Sequence, residues 1–325
     1  MSKAIRIHAH GGPDALKWDD VTVEAPARDQ IRLQQSAVGL NYIDVYHRTG
    51  MYPVPDLPAA IGLEAAGTVT DIGDGVAGLR VGDRVAYAAP PIGAYAQERL
   101  MPADRVIKLP DSIGNEQAAA MMLQGMTVQY LTRRTYRVQK GDTVLFHAAA
   151  GGVGLIACQW LNHLGATIIG TVGSADKAAL ASAHGCTHTI NYRDENFVER
   201  VKEITGGEGV AVVYDSIGKD TFEGSLDCLR PLGMMVSFGA ASGPVPPMDP
   251  GKLAQKGSLF LTRPTLMNYT AKREDLVASA QELFDVVASG AVKIEINQTY
   301  PLAEAAQAHR DLEGRKTTGS TILIP

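Results

Sequence analysis

The sequence predicts an α/β protein that joins an antiparallel β-domain to a doubly wound parallel sheet with helices on both faces. The chain has 325 residues, a length that favours roughly two domains over one. Its first third contains short strand-like segments divided by Gly and Pro. After about Asp111, strand-sized apolar runs alternate with helix-sized amphipathic runs. Such alternation is typical of a parallel sheet covered by helices.

The first part is expected to be a compact, barrel-like β-domain. Turn sequences such as Gly73-Asp74-Gly75 and Val81-Gly82-Asp83 separate its strands, because Gly and Asp allow the backbone to reverse. The predicted strand pieces are Ile31–Leu33, Gly67–Val69, Asp83–Tyr87 and Arg105–Leu109. Short strands at this spacing favour an antiparallel barrel.

In the second part, a helix over Ser112–Tyr130 is expected before the alternation begins. The predicted strands are Thr143–Ala148, Thr167–Val172, Val210–Tyr214 and Met234–Phe238, and the predicted helices are Gly152–Leu164, Ala175–His184, Glu195–Ile204 and Thr221–Leu229. Asp194 is expected to cap the third of these helices, because a short polar side chain there can accept from free backbone N–H groups.

After Gly257 the order of elements no longer extends a doubly wound sheet. Ser258–Thr262 is predicted as a further strand, followed by helices over Lys272–Ser289 and Leu302–Leu312 and a terminal strand over Ser320–Ile324. This tail is therefore expected to return to the first domain. The predicted boundaries are residues 1–124 for the first domain, 125–262 for the second and 263–325 for the return segment.

Charge and composition exclude several classes of protein. The formal net charge of -5 disfavours a nucleic-acid binder that works by neutralising phosphates. The three cysteines, Cys158, Cys186 and Cys228, lack metal-type or disulfide-type spacing, which fits a reducing compartment. No secretory signal is seen, and no apolar run approaches the ~20 residues of a membrane span. A soluble, cytoplasmic protein is expected.

The strongest motif is the Gly-rich run Ala148–Gly154, which directly follows the predicted strand Val144-Leu145-Phe146. Residues without a side chain let the backbone approach a pyrophosphate, and the following helix N-terminus offers free N–H groups and a partial positive charge. Ala149 replaces the first glycine of the usual G-x-G-x-x-G pattern, but the strand–turn–helix context supports a dinucleotide site. The predicted contacts are Ala150, Gly151, Gly152 and Val153.

The end of the second predicted strand favours NADPH over NADH. An NAD site normally carries an acidic residue there that holds the ribose hydroxyls. Here Gly173 and Ser174 leave room for a 2′-phosphate, and Lys177 supplies a cation for it. Asp176 would favour NAD if it pointed at the ribose, although a role at the helix start is the preferred interpretation. Tyr192, followed by Arg193, could stack on the adenine.

Several sequence blocks together resemble the medium-chain dehydrogenase/reductase superfamily, and within it the zinc-independent quinone oxidoreductases, over essentially the whole chain. The blocks are Val38–Asp44, Pro58–Gly67, Val81–Val85, Ala148–Gly154, Val213–Ser216 and Leu259–Pro264. The resemblance implies a GroES-like domain and a Rossmann domain with the cofactor in the cleft between them. It also implies that Asn41 and Leu63 stand where zinc-dependent members carry a Cys and a His ligand. Since neither can replace those ligands, no metal is expected.

Loss of zinc restricts the chemistry that is expected. Reduction of a simple ketone requires stabilisation of a developing alkoxide, which without zinc falls to hydrogen bonds. A quinone or an enone gives a delocalised and less basic anion. The sequence therefore predicts an NADPH-dependent reductase of quinones or similar conjugated carbonyls, whose main task is to orient the nicotinamide against the acceptor.

The candidate acceptor side is the segment from Asn41 to Tyr52. The predicted catalytic residues are Asn41, Tyr46 and Tyr52, which could polarise an acceptor oxygen, donate a hydrogen bond or form aromatic walls. For either tyrosine a place in the β-domain core is an equal alternative. Asn41, Tyr42, Asp44 and Tyr46 are also predicted to line the cofactor, with Asp44 orienting a loop.

The resemblance adds further cofactor contacts from the second domain. Thr127 and Tyr130 are expected near the nicotinamide amide and phosphates, Ser216 beside the ribose, Phe238 and Gly239 at a strand end over the cofactor, and Arg263 and Pro264 in a segment used for cofactor contact and subunit pairing. A homodimer through the edge strand Ser258–Thr262 is expected, because pairing would cover that edge.

Two other functions remain open from the sequence. Hydride transfer to an enoyl thioester or enone C=C bond would use the same cofactor, with Tyr52 or Tyr46 as proton donor. A non-enzymatic role also remains open, because the sequence resembles the lens zeta-crystallins. That role would be either crystallin-like or the binding of RNA that NADPH competes away. The acidic charge balance disfavours tight RNA binding.

Overall fold

The computed structural model describes residues 1–54 and 56–325. The chain forms two compact units: Met1–Met126, Thr270–Ala288 and Ile294–Pro325 make the first, and Thr127–Tyr269 with Ser289–Lys293 make the second. The boundaries thus fall after Met126 and Tyr269, later than the predicted residues 124 and 262. Tyr269 belongs to the second unit because its ring stacks on Tyr130 at a centroid distance of 4.4 Å.

The described residues form strands and helices in the following order. The strands are β1 (Ser2–Ile7), β2 (Leu16–Val21), β3 (Gln30–Leu40), β4 (Ala59–Ala60), β5 (Glu64–Ile72), β6 (Arg84–Ala88), β7 (Glu98–Pro102), β8 (Ile107–Lys108), β9 (Thr143–Phe146), β10 (Thr167–Val172), β11 (His188–Asn191), β12 (Val210–Asp215), β13 (Leu229–Ser237), β14 (Phe260–Thr262), β15 (Ile296–Pro301) and β16 (Ser320–Ile324). The helices are α1 (Tyr42–Thr49), α2 (Asn115–Ala119), α3 (Met122–Tyr130), α4 (Gly152–His163), α5 (Ala175–Ala183), α6 (Phe197–Ile204), α7 (Phe222–Asp227), α8 (Gly251–Gln255), α9 (Leu266–Tyr269), α10 (Arg273–Ala288) and α11 (Ala305–Glu313). A π-helical turn, Leu131–Thr135, continues α3.

The first unit is built around the long strand β3. Its neighbours are β5, β7 and β16, all antiparallel, within a seven-stranded sheet, and a smaller sheet has the order β2-β1-β4. Apolar side chains that alternate along β3, such as Ile31 and Leu33, are completely buried in the core. Gly67 allows β5 to approach β3, because a Cβ there would lie 2.1 Å from the Gln34 carbonyl oxygen. The first unit is therefore mainly antiparallel, as the sequence predicts.

The second unit contains a six-stranded, wholly parallel sheet in the order β11-β10-β9-β12-β13-β14. This is the strand order of a doubly wound dinucleotide-binding sheet, in which the direction of winding reverses between the first and fourth strands. Those two strands are β9 and β12 here. Ligands of such sheets bind beyond the carboxyl ends of the strands at this reversal.

Several elements differ from the sequence-based predictions. The predicted helix Ser112–Tyr130 is two helices, α2 and α3, because the chain tightens at Ala120, whose N–H meets the carbonyls of both Glu116 and Gln117. The prediction that Asp194 caps α6 is wrong, because the Asn196 side chain accepts from the free N–H groups at the start of this helix instead. Helix α1 was not predicted, since its buried polar residues conceal the apolar pattern. Among helices built from the described residues, none is long and apolar enough to cross a membrane.

Candidate active site and dinucleotide turn

The Gly-rich turn lies at the carboxyl end of β9 and leads into α4. Gly151 occupies the N-cap position and offers no side chain to the free N–H groups, and the first turn of α4 carries no acidic residue. Ala148 adopts a left-handed backbone conformation with φ of 56°, which is uncommon for a residue with a side chain. The N–H groups that no side chain caps and the helix dipole together make this turn suitable for a phosphate group.

Gly154 is the glycine that the turn requires most strictly. A Cβ at this position would lie 2.3 Å from the Ala148 carbonyl oxygen and 2.6 Å from the Ala149 carbonyl carbon. Both atoms belong to the backbone, so a side chain would force the turn away from α4. The glycine therefore allows the close strand–helix approach of a dinucleotide-binding turn.

The carboxyl end of β10 carries the residues predicted to select the cofactor. Ser174 is the N-cap of α5 and its hydroxyl accepts from the Lys177 N–H at 3.3 Å. A Cβ on Gly173 would lie 2.7 Å from the Tyr192 hydroxyl, so Tyr192 contacts the residue where a 2′-phosphate is expected. Asp176 is exposed in the first turn of α5. The structure thus brings Gly173, Ser174, Lys177 and Tyr192 to one corner of the sheet.

The carboxyl ends of β12 and β13 lie against each other. Asp215 is completely buried, and its backbone oxygen accepts from the N–H groups of Phe238 at 2.8 Å and Gly239 at 3.3 Å. A Cβ on Gly239 would lie 2.4 Å from the Ser216 carbonyl oxygen. Ser216, Phe238 and Gly239 are therefore neighbours, as expected for residues that line one cofactor.

The remaining predicted cofactor contacts of the second unit come from α3 and from the segment after β14. Tyr130 is 3% exposed and stacks on Tyr269, while Thr127 is buried one turn earlier in α3. Arg263, directly after β14, donates to the Ser237 carbonyl oxygen at 2.9 Å, and Pro264 follows it half-buried.

In the first unit, the predicted acceptor-side residues lie on α1 and just after it. The rings of Tyr42 and Tyr46 are 5.5 Å apart, and those of Tyr46 and Tyr52 are 5.0 Å apart. The His47 ring lies 6.2 Å from that of Tyr52. Tyr46 is only 6% exposed, whereas Tyr52 is half-buried. The segment therefore presents an aromatic cluster in which Tyr42 and Tyr52 are more accessible than Tyr46.

Asn41 is buried and held at both ends of its side-chain amide. Its Nδ2 donates to Glu64 Oε2 at 2.6 Å, and its Oδ1 accepts from Gln124 Nε2 at 3.2 Å. Glu64 also accepts from the Leu123 N–H at 2.7 Å. Sequence reasoning did not single out Glu64, because a lone glutamate between apolar residues gives no periodic or spacing signal. One N–H of the Asn41 amide remains for a further acceptor, since an amide nitrogen donates two hydrogen bonds.

Two buried carboxyl groups lie beside Asn41. Burial raises the pKa of Glu64 to about 8, with the Asp44 charge adding to the shift. Burial also raises the pKa of Asp44 to about 7, opposed by hydrogen bonds from Asn41 and Tyr95. Asp44 Oδ2 accepts from the Asn41 N–H at 3.0 Å and from the Tyr95 hydroxyl at 2.9 Å. Asp44 Oδ1 is buried and has no hydrogen-bond partner within the described chain.

A chain of buried polar groups leads from Asp44 to the surface. The Tyr95 hydroxyl lies 3.0 Å from His309 Nε2, and His309 Nδ1 lies 2.9 Å from the Arg48 guanidinium. Arg48 is 1% exposed and makes two hydrogen bonds of 2.8 Å to the Glu313 carboxylate. Burial and the Arg48 charge lower the pKa of His309 to about 3, so the ring is neutral. Because an arginine only donates, Nδ1 accepts and the proton is on Nε2, facing Tyr95.

Comparison of the sequence with protein families matches two stretches of the chain. Residues 27–111 match the family described as alcohol dehydrogenase GroES-like domain, and residues 152–284 match the family described as zinc-binding dehydrogenase. The donor atoms present do not fit zinc. Across residues 1–54 and 56–325, no group of three or more His, Cys, Asp or Glu side chains could hold a metal ion.

Several named relatives match the chain over its whole length. The chain is 54% identical to the quinone oxidoreductase of Salmonella typhimurium and 51% identical to quinone oxidoreductase 1 of Escherichia coli. Each comparison covers 100% of this chain and 100% of the relative. The solved structure of Escherichia coli quinone oxidoreductase complexed with NADPH superposes with a TM-score of 0.98 at 51% identity, over 99% of this chain and 100% of that one. A 2-haloacrylate reductase from a Burkholderia species is 48% identical over 100% of this chain and 99% of its own length. The chain therefore belongs to the quinone oxidoreductases of the medium-chain dehydrogenase/reductase superfamily.

Proposed function

We propose that this chain reduces quinones and related conjugated acceptors with NADPH, without a metal. The observation that carries the proposal is identity above 50% over full length to several proteins named quinone oxidoreductase, one of which was solved with NADPH. The Gly-rich turn, with its free N–H groups and the obligatory Gly154, supplies the matching dinucleotide site. The reaction is NADPH plus a proton plus a quinone, giving NADP⁺ and a hydroquinone.

The second unit is proposed to hold the cofactor. In this proposal the turn residues Ala150–Val153 bind the pyrophosphate, and Gly173, Ser174 and Lys177 surround the 2′-phosphate. A phosphate next to a helix N-terminus and a lysine gains from both charges. The other proposed contacts with the dinucleotide are Tyr192 at the adenine, Ser216 at the ribose, and, along the rest of the cofactor, Thr127, Tyr130, Phe238, Gly239, Arg263 and Pro264.

Asn41, Tyr46 and Tyr52 are proposed to act on the acceptor. The remaining N–H of the Asn41 amide can donate to a carbonyl oxygen, and Glu64 and Gln124 fix the direction of that amide. A donor fixed before the reaction stabilises the developing anion without reorganisation. The aromatic cluster of Tyr42, Tyr46 and Tyr52 provides apolar walls for a flat acceptor. Tyr42 and Asp44 are proposed to border the cofactor as well.

Steady-state kinetics with 1,4-benzoquinone test the proposal. We expect kcat/KM for NADPH to exceed that for NADH by at least about tenfold, because only NADPH engages the proposed phosphate pocket. Lys177→Ala should reduce that ratio, while Lys202→Ala on α6 should leave it unchanged. Equal use of both cofactors would contradict the NADPH assignment. No turnover of any quinone would contradict the proposed acceptor.

A second candidate reaction is reduction of a conjugated C=C bond. The 48% identity to a 2-haloacrylate reductase over full length specifically favours it. Such a reaction places hydride on the β-carbon and a proton on the α-carbon, so a proton donor such as Tyr52 becomes necessary. Parallel assays with 1,4-benzoquinone, 2-chloroacrylate and crotonyl-CoA separate the candidates. In a C=C reductase, Tyr52→Phe should lower kcat for 2-chloroacrylate more than for benzoquinone.

We also propose a cytoplasmic homodimer that pairs through β14. This strand ends the parallel sheet, and Phe260 and Leu261 on it are 57% and 39% exposed. An apolar edge strand left open invites pairing with a second copy. Light scattering at micromolar concentration tests the dimer, and a monomeric mass would refute it.

A further inference from the structure

His147 lies directly before the Gly-rich turn and belongs to a buried polar network that the reaction itself does not require. The side chain is 1% exposed. Its Nδ1 lies 2.9 Å from Thr171 Oγ1 at the end of β10, and its Nε2 lies 3.0 Å from Ser225 Oγ on α7. The Phe197 ring packs edge-on against the imidazole at a centroid distance of 5.1 Å. Both ring nitrogens are therefore bonded, and the rest of the ring is enclosed.

The direction of each hydrogen bond follows from Asp215. This completely buried carboxylate accepts from the hydroxyls of Thr221 at 2.7 Å and Ser225 at 3.0 Å. It also accepts from the N–H groups of Ile217 at 2.7 Å and Gly218 at 3.0 Å. Four donors satisfy a carboxylate without a cation. Since the Ser225 hydroxyl proton is directed to Asp215, Ser225 Oγ accepts from His147, whose Nε2 must carry a proton.

The other nitrogen of His147 continues the same direction toward the turn. Burial lowers the pKa of His147, and the Asp215 charge opposes that shift only in part, so the ring is neutral and Nδ1 accepts from the Thr171 hydroxyl. Thr171 Oγ1 in turn accepts from the Ala148 N–H at 3.4 Å, and the Thr171 carbonyl accepts from the Ala149 N–H at 3.0 Å. The donors thus point in one direction, from the strained Ala148 to Asp215.

We propose that His147, through Thr171 and Ser225, is a positioning residue that holds the Gly-rich turn and the loop after β12 as one preformed binding surface for the dinucleotide. Ala148 stays in its left-handed conformation because Thr171 retains both adjoining N–H groups. The loop after β12 is fixed at the other end, since Asp215 binds the N–H groups of Ile217 and Gly218 beside Ser216. This inference rests on the proposed function, in which the turn binds the pyrophosphate and Ser216 the ribose.

Binding of NADPH and of adenosine 2′-phosphate to the full chain tests the proposal. Thr171→Val keeps the shape of the side chain but removes its hydroxyl, and Ser225→Ala cuts the connection to Asp215. We expect each to weaken NADPH binding about five- to tenfold, the effect of one or two hydrogen bonds. Adenosine 2′-phosphate lacks the pyrophosphate, so Thr171→Val, which acts on the Gly-rich turn, should change its dissociation constant less than about twofold. Titration of NADPH fluorescence and displacement by adenosine 2′-phosphate give the two constants.

Matched variants separate positioning from general loss of stability. Thr171→Ser restores the hydroxyl and should restore NADPH binding. Thr205→Val removes a comparable hydroxyl, bonded to the Val201 carbonyl on α6, and should leave both constants unchanged. We expect the double variant, Thr171→Val with Ser225→Ala, to bind NADPH about as weakly as the more weakened single variant does. The two effects should not add, because both substitutions break one connected chain of hydrogen bonds.

Two results would overturn the inference. If the parent chain binds NADPH and neither Thr171→Val nor Ser225→Ala weakens that binding, the network does not position the dinucleotide. If Thr171→Val weakens binding of adenosine 2′-phosphate as much as binding of NADPH, the effect is general damage to the second unit. Failure of the parent chain itself to bind NADPH would contradict the proposed function first, which keeps the two failures distinguishable.

Discussion

Replacement of Asp44 by Asn should change how the stability of the first unit depends on pH. The native pKa of Asp44 is about 7, raised from 3.8 chiefly by burial. A carboxyl whose pKa is raised on folding binds more protons in the native than in the unfolded chain, so its stabilising contribution is complete below the unfolded pKa and is lost as pH rises to the native pKa. From pH 5 to the native pKa of about 7 the loss is about 3 kcal/mol, at ~1.4 kcal/mol per pKa unit.

Asn retains an oxygen that can accept from Asn41 and Tyr95 but cannot ionise. The free energy of unfolding of Asp44→Asn, relative to that of the parent, should therefore rise by about 3 kcal/mol between pH 5 and pH 8. Removal of the Asp44 charge also relieves the upward shift of the Glu64 pKa, which adds to the rise in the same direction.

The two tryptophans allow this measurement on one unit. Trp18 lies on β2 in the first unit and Trp160 on α4 in the second, so urea unfolding of a Trp160→Phe background reports the first unit through Trp18. Asp111→Asn is the matched control, because the Asp111 carboxylate is fully exposed. The urea midpoint of this variant should match that of the parent at every pH tested. Parallel curves for Asp44→Asn and its parent from pH 5 to pH 8 would refute the reasoning.

Two further predictions concern packing and charge. Gly154→Ala should weaken NADPH binding more than about tenfold, because its Cβ would lie 2.3 Å from the Ala148 carbonyl oxygen. Gly114→Ala is the control: a Cβ there meets open space, so this variant should bind NADPH normally in the same fluorescence titration. Arg48→Met should lower the stability of the first unit by about 3 kcal/mol in the urea assay, since it leaves buried acceptors without their cation. Arg310→Met, which removes the arginine of an exposed ion pair with Asp14, should cost less than about 1 kcal/mol, and equal losses in the two variants would contradict that account.

The parallel sheet and its turn could be predicted from the sequence because their signals are local. Strand β10 has the predicted bounds, and helix α10 lies within the predicted range Lys272–Ser289. Helix α1 could not be found, because the burial of Asp44 and Arg48 depends on partners as distant as His309 and Glu313. A carboxylate or guanidinium that is satisfied by remote residues carries no sign of burial in its own neighbourhood.

The same limit applied to the candidate sites. The glycines of the turn were predicted from strand, spacing and helix, all within a short segment. Glu64 and Asp215 were not, since each acts through side chains from other elements: Asn41 in one case and Ser225 in the other. His147 was read only as part of a strand, and its place between Thr171 and Ser225 depends on the order of strands in the sheet.

The position of β16 beside β3 determines when the first unit can be completed. Thr321, Ile322 and Leu323 pair with Leu40, Gly39 and Val38, so the central strand of that sheet waits during synthesis for residues that follow the whole second unit. The second unit lies almost wholly within Thr127–Tyr269, and its parallel sheet can form while the first unit still lacks an edge. Domains that emerge complete generally fold as units during synthesis. The unit that begins first is therefore completed after the second unit, and loss of Ser320–Ile324 would expose an apolar edge of β3 at the centre of the first unit.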